Sequence, residues 1–171
     1  MRKWWPPVSD WRQAHNEVAF LEHRRHWQRQ SKQRVGLNFA VVIDGQVRGE
    51  VTMWDFTPTG TTLEIGVWAD PRILNRVGHL AGFLVIMDHV FNVMKMERVT
   101  NPIAVGNVQS MGITRVFGFQ EEGTLRSWRG GPNGSHDYKI YSLLSSDWPV
   151  GREKVLKLLA RMDQGVADRL R

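Results

Sequence analysis

The pair Asp44-Gly45 most constrains this chain, because it joins two β-rich runs, LNFAVVID and QVRGEVTMWD. Asp-Gly accepts the positive φ angles of a two-residue hairpin turn, so the two runs are predicted to pair antiparallel. The segment TPTGTT reads as loop, and TLEIGVW as a third strand. Upstream, Ser9 precedes apolar and polar residues at helical spacing, which predicts one helix or two short ones over residues 10–34. Downstream, Leu80, Phe83, Leu84, Met87, Val90 and Phe91 share one helical face, predicting a helix from about Gly78 to Met94. RVTNPIAV is a short strand, residues 107–116 a helix, and FGFQEEGTLRSWR and YKIYSLL two closing strands around the turn GGPNGSHD. A charged helix from Pro149 ends the chain. This order gives a mixed α/β (α+β) fold with a largely antiparallel sheet.

Composition supports one globular domain, or one with a short appendage. At 171 residues with 42% hydrophobic and 23% charged residues, the chain has material for one core. No run approaches the roughly 18 apolar residues of a membrane span. The start, MRKWWPPVSDW, puts Pro-Pro where a signal peptide needs an apolar stretch. The expected location is therefore cytoplasmic, with no membrane partner. The absence of cysteine excludes disulfides and thiolate catalysis. The histidines show no H-x-x-x-H with a carboxylate partner, so no metal site is expected.

The net charge of +6 is uneven: +5 over residues 1–35, −2 over 36–150 and +3 over 151–171. Basic ends fit amphipathic helices with Lys and Arg on their wet faces. Without an aromatic RNA-binding motif or a Gly-rich RNA-binding loop, a nucleic-acid partner is not expected.

Specificity comes from motifs in register. Leu63-Glu64-Ile65-Gly66-Val67-Trp68-Ala69-Asp70-Pro71 is followed by Met87-Asp88-His89-Val90-Phe91, Arg98-Val99, Asn107-x-x-Ser110 and Gly118-Phe119-Gln120-Glu121-Glu122-Gly123-Thr124-Leu125-Arg126. This series resembles the GNAT superfamily of acyl-CoA N-acyltransferases, and within it the RimJ/RimL type that acetylates the N-termini of ribosomal proteins. The resemblance covers about residues 37–145.

It implies a sheet whose fourth and fifth strands in the family order, here Thr62–Trp68 and Arg98–Val105, run parallel and splay apart. Acyl-CoA enters the wedge, its pantetheine arm pairing with Ile65, Gly66, Val67 and Trp68 like an added strand. The pyrophosphate lies on the loop Leu74, Asn75, Arg76, Val77, Gly78 and His79, at the start of a helix. Asn107 sits near the cofactor. Ser110 donates a proton to the departing thiolate, and Glu64 accepts one from the acceptor amine. The implied partners are acetyl-CoA and a protein N-terminus or small amine.

Three departures qualify this picture. Val77 and His79 stand where the family's loop has Gly and a second small residue, and Gly78 comes one position late. Pro102 removes a donor inside a strand, which only an edge or a splay tolerates. The chain starts at the W-x-P segment, so either its start is truncated or the domain lacks the family's first strand. In the second case the LNFAVVID edge needs a cover, which Trp4, Trp5 and the first helix could form, or a second chain, making a homodimer. The expected organisation is a GNAT domain over residues 1–148 and a basic C-terminal helix over 149–171. The competing reading is a degenerate, non-catalytic GNAT-fold binding or dimerisation protein. In it Glu64 is an ordinary strand carboxylate and Ser110 a helix-capping hydroxyl.

Overall fold

A computed structural model describes Arg25 and Arg29 and residues 36–43, 45–57, 59–69, 77–131 and 134–171. The helix expected over residues 10–34, Trp4, Trp5 and Leu74 to Arg76 lie outside the described residues, apart from Arg25 and Arg29.

The hairpin forms as the turn pair dictates. Strand β1 (Gly36–Ile43) pairs antiparallel with β2 (Gln46–Trp54), and Gly45 takes φ +71° in the turn. Strand β3 (Thr62–Ala69) lies antiparallel on the other side of β2. Helix α1 (Val77–Asp88) then carries the chain over the sheet to β4 (Arg98–Ala104), which runs parallel to β3. Helix α2 (Val108–Val116) leads to β5 (Gln120–Gly131) and β6 (Gly134–Leu144). Strand β6 inserts between β4 and β5, so the order across the sheet is β1-β2-β3-β4-β6-β5. Among the described residues, only the β3–β4 contact is parallel.

One face of the sheet carries the core. Met53, Leu63, Ile65, Val99, Tyr141 and Leu143 are buried there with Leu80, Leu84 and Met87 of α1. Helix α3 (Trp148–Met162) joins them through Val155, Leu156 and Leu159. The ring of Phe117 meets Phe83 edge-on at 4.5 Å and stacks near-parallel on Trp148 at 6.4 Å. Asp88, at the end of α1, accepts hydrogen bonds from Trp148 Nε1 and Arg152 Nε, both at 2.9 Å, and so ties α1 to α3.

Three boundaries differ from the sequence reading. The helix expected to Met94 ends as α1 at Asp88 and continues as a π-helical turn over His89–Val93, closed by Met94 N–H on His89 O at 2.9 Å. One wider turn hides inside the same apolar periodicity. The closing hairpin takes up most of GGPNGSHD, because pairing continues to Gly131↔Gly134. The terminal helix divides at Asp163, whose extended backbone ends α3 and whose carboxylate accepts from Val166 N–H at 3.0 Å, capping α4 (Gln164–Arg169).

Candidate functional site

The strands β3 and β4 pair at Thr62↔Arg98, Leu63↔Val99 and Glu64↔Thr100, and nowhere further along. Beyond that fork β3 continues to Ala69 and β4 to Ala104. Among the described residues, the edge of Ile65 to Ala69 facing β4 is thus without strand partners. Pro102 stands past the last β3 pair while still matched to Ile140 on its β6 side. Its missing N–H costs nothing at a splay.

Alternation along paired strands places Trp54, Thr52, Glu64, Gly66, Trp68, Thr100 and Tyr138 on the face opposite the core. Glu64 is the last paired residue of β3, so its carboxylate stands at the crotch of the fork. It is buried rather than solvent-facing. Burial raises its pKa, and the charge of Asp55 adds to that; Arg129 opposes it, as does a hydrogen bond donated by the Trp54 side chain. The Trp54 indole also lies over Gly66: a Cβ there would sit 2.7 Å from Trp54 Cη2. Thr52 Oγ1 donates to Gly66 O at 3.2 Å, fixing the strand beneath the ring.

Arg129 is the residue that sequence reasoning missed. Its Nη2 donates to Glu64 Oε1 at 2.9 Å, across 65 positions of chain. Its guanidinium lies 4.1 Å from the Trp128 ring centroid and 5.6 Å from that of Tyr138. A bulge delivers it. Leu125 pairs with Tyr138 and Arg129 with His136, leaving Arg126, Ser127 and Trp128 opposite the single residue Asp137. Ser127 takes φ +48° and its N–H is held by Asp137 Oδ1 at 2.8 Å. In an unbulged hairpin Ser127 would stand opposite His136. The adjacent Trp128-Arg129 was visible in the sequence; the register slip that aims it was not.

The remaining expected residues divide. Ile65 is buried in the core, Val67 is half-buried against it, and Trp68 is half-buried opposite Glu50. Val77 begins α1 and packs against the core, Gly78 is exposed, and His79 is buried. His79 Nδ1 has no hydrogen-bond partner, and burial lowers the imidazole's pKa. Asn107 caps α2, its Oδ1 accepting from Ser110 N–H at 3.2 Å. The cap is therefore Asn107, and the Ser110 hydroxyl is not used for it. Ser110 is half-buried in the first turn of α2, past the far end of β4, while Glu64 stands at the near end of the fork. No hydrogen bond joins the two.

Comparison with known proteins agrees with this geometry. The model of the acetyltransferase (GNAT) domain matches residues 1–120. The Bacillus subtilis (strain 168) protein called "Putative ribosomal N-acetyltransferase YdaF" is 27% identical over 122 residues, covering 71% of this chain and 67% of its own. Mycobacterium smegmatis RimJ, solved in complex with CoA-disulfide, superposes with a TM-score of 0.79 at 19% identity, over 92% of this chain and 77% of RimJ. A GCN5-related N-acetyltransferase from Brucella melitensis gives 0.76 at 24% identity, over 90% and 75%. At such identities the two structures speak for the fold, and the domain match for the family. The forked sheet and the matched domain lead to one conclusion: this chain belongs to the GNAT acetyltransferase family.

Proposed function

We propose that the protein is an acyl-CoA-dependent N-acyltransferase that moves acetyl from acetyl-CoA to an amine. A protein or peptide N-terminus is the first choice of acceptor and a small-molecule amine the second. The observation that carries this reading is the fork: β3 and β4 separate after three pairs, with a buried carboxylate at the branch.

The residues present fit the cosubstrate. The edge of Ile65 to Trp68 offers main-chain groups to an extended arm, as an added strand would need. Val77, Gly78 and His79 form the first turn of α1, where amides and the helix dipole favour phosphate. The unpartnered His79 Nδ1 is a further polar atom there. Asn107 stands at the matching end of α2. Acetyl-CoA brings an acyl group already activated as a thioester, so the protein must supply orientation and proton traffic.

An amine arrives as ammonium and must lose a proton before it can attack. Glu64 takes that proton. A carboxylate raised toward neutral pH is a better base than an ordinary one, and burial supplies the raise. Before the acceptor arrives, Trp54 and Arg129 hold its orientation from two sides. The Ser110 hydroxyl, left over by the Asn107 cap, is the donor for the departing sulfur.

Calorimetry with acetyl-CoA and with CoA tests the first half, and thiol release with short N-terminally free peptides tests the second. Binding with peptide-dependent thiol release is expected. Absence of CoA binding would instead favour a GNAT-fold interaction module.

A further inference from the structure

Arg129 screens Glu64 from solvent: its side chain is 38% exposed, against 10% for the carboxylate it contacts. Among the described residues, no other carboxylate lies in ion-pair contact with this guanidinium. Below it lie the Trp128 ring at 4.1 Å and the Tyr138 ring at 5.6 Å, set edge-to-face to each other with centroids 5.3 Å apart. Two aromatic faces and one buried carboxylate are the components of a cation cage. Here the chain's own arginine fills it.

Two features mark the arrangement as built rather than incidental. The β5 bulge, with its left-handed Ser127 and the Asp137 carboxylate holding it, exchanges a serine for Arg129 at this position. The strain of a non-glycine residue at positive φ is tolerated for that exchange. His136, opposite Arg129 in the register, also keeps a buried Nε2 without a hydrogen-bond partner.

We propose that Arg129 is a positioning residue for the acceptor: its guanidinium fills a cation site formed by Glu64, Trp128 and Tyr138, and the acceptor's ammonium enters by displacing it. The inference rests on the reading of Glu64 as the group that meets the acceptor. Its physical content is an exchange of one cation for another at a single carboxylate. No uncompensated charge is then left in the buried site at any stage. The site therefore takes ammonium groups with little substitution near the nitrogen, slim enough to reach the carboxylate past the two rings.

The test does not need the natural acceptor. Arg129→Ala, with its fold checked by circular dichroism and thermal midpoint, is titrated with methylguanidinium in a calorimeter. Saturable binding at about millimolar concentration is expected in Arg129→Ala and not in wild type, weakened about tenfold when Glu64→Gln is added. In steady-state assays with an N-terminally free peptide, Arg129→Gln is expected to lower KM and to move the acidic limb of kcat/KM to higher pH. Arg129→Lys, which keeps the charge, is expected to restore both, and it tests the idea even if the alanine variant fails to fold. Equal methylguanidinium binding by wild type and Arg129→Ala, or indifference to Glu64→Gln, overturns the proposal. So does a KM that is unchanged in Arg129→Gln. Cation binding as expected together with full activity of Glu64→Gln supports the cage and overturns the assignment of Glu64 as proton acceptor.

Discussion

Replacing Gly66 with alanine tests the link between packing and chemistry at the fork. The added Cβ would meet Trp54 Cη2 at 2.7 Å, Trp54 Cζ3 at 2.9 Å and Thr52 Oγ1 at 2.9 Å. Ordinary carbon contacts lie at about 3.5–4 Å, so the indole must withdraw by about 1 Å. Trp54 is half-buried rather than enclosed, which places the cost at the lower end of overpacking, about 1–2 kcal/mol. For a chain of this length that lowers Tm by about 2–8 °C. The withdrawal also pulls the indole's hydrogen bond away from Glu64, removing one of the forces that hold its pKa down. The acidic limb of kcat/KM should then move to higher pH. A double-mutant cycle isolates the cause: in a Trp54→Ala background, Gly66→Ala should cost less than half as much, since two of the three nearest atoms belong to the indole. Equal cost in both backgrounds, or a lowered Tm with an unmoved acidic limb, would refute the coupling of Trp54 to Glu64.

Three further outcomes are expected. His79→Leu removes an unsatisfied buried nitrogen and should stabilise the protein by about 1–2 kcal/mol at pH 7. The depressed imidazole pKa means that wild type loses stability as pH falls through the unfolded-state value of 6.5, so the advantage should widen toward pH 5 in urea titrations. Glu122, bonded by Arg98 and Ser142, has its pKa lowered to about 2, so the stability it contributes is present above 4.5 and is lost as pH falls toward 2. Its exposure limits the effect: Glu122→Gln should cost about 1 kcal/mol or less at pH 7 and nothing near pH 2, read by acid unfolding. Gly151→Ala would put a Cβ 2.4 Å from the Phe117 carbonyl oxygen, a backbone atom that cannot swing aside. A loss of about 3 kcal/mol or more is expected, seen as a fall in the urea midpoint at unchanged m.

Much of the architecture was legible because local rules were decisive. Asp44-Gly45 fixed the first hairpin, and Pro102 pointed to a strand lacking a neighbour on one side, which the register bears out. The motif around Glu64 led to a carboxylate at the fork. What could not be read were events in which one or two residues change a register. The π-helical turn at His89–Val93 leaves the apolar spacing nearly intact. The β5 bulge is carried by Ser127, whose left-handed backbone no propensity suggests, and by Asp137 ten positions later. Two extra residues leave the strand face unchanged but advance the register, so the bulge decides that Arg129 rather than Ser127 stands opposite His136 and reaches Glu64, and Arg129 was invisible for that reason.

The three parallel pairs at Thr62, Leu63 and Glu64 also have a mechanical meaning. They form the spine of a book whose covers are two antiparallel leaves, β1-β2-β3 and β4-β6-β5. Each leaf is bound along its length by its own ladder, while the seam between them is short. Within the sheet, bending is therefore easiest about that seam, and a guest strand laid between the covers would stiffen the whole at once. Glu64 and Arg129 come from opposite leaves. A change in the opening angle therefore acts across their ion pair, and the carboxylate at the spine is tied to both covers.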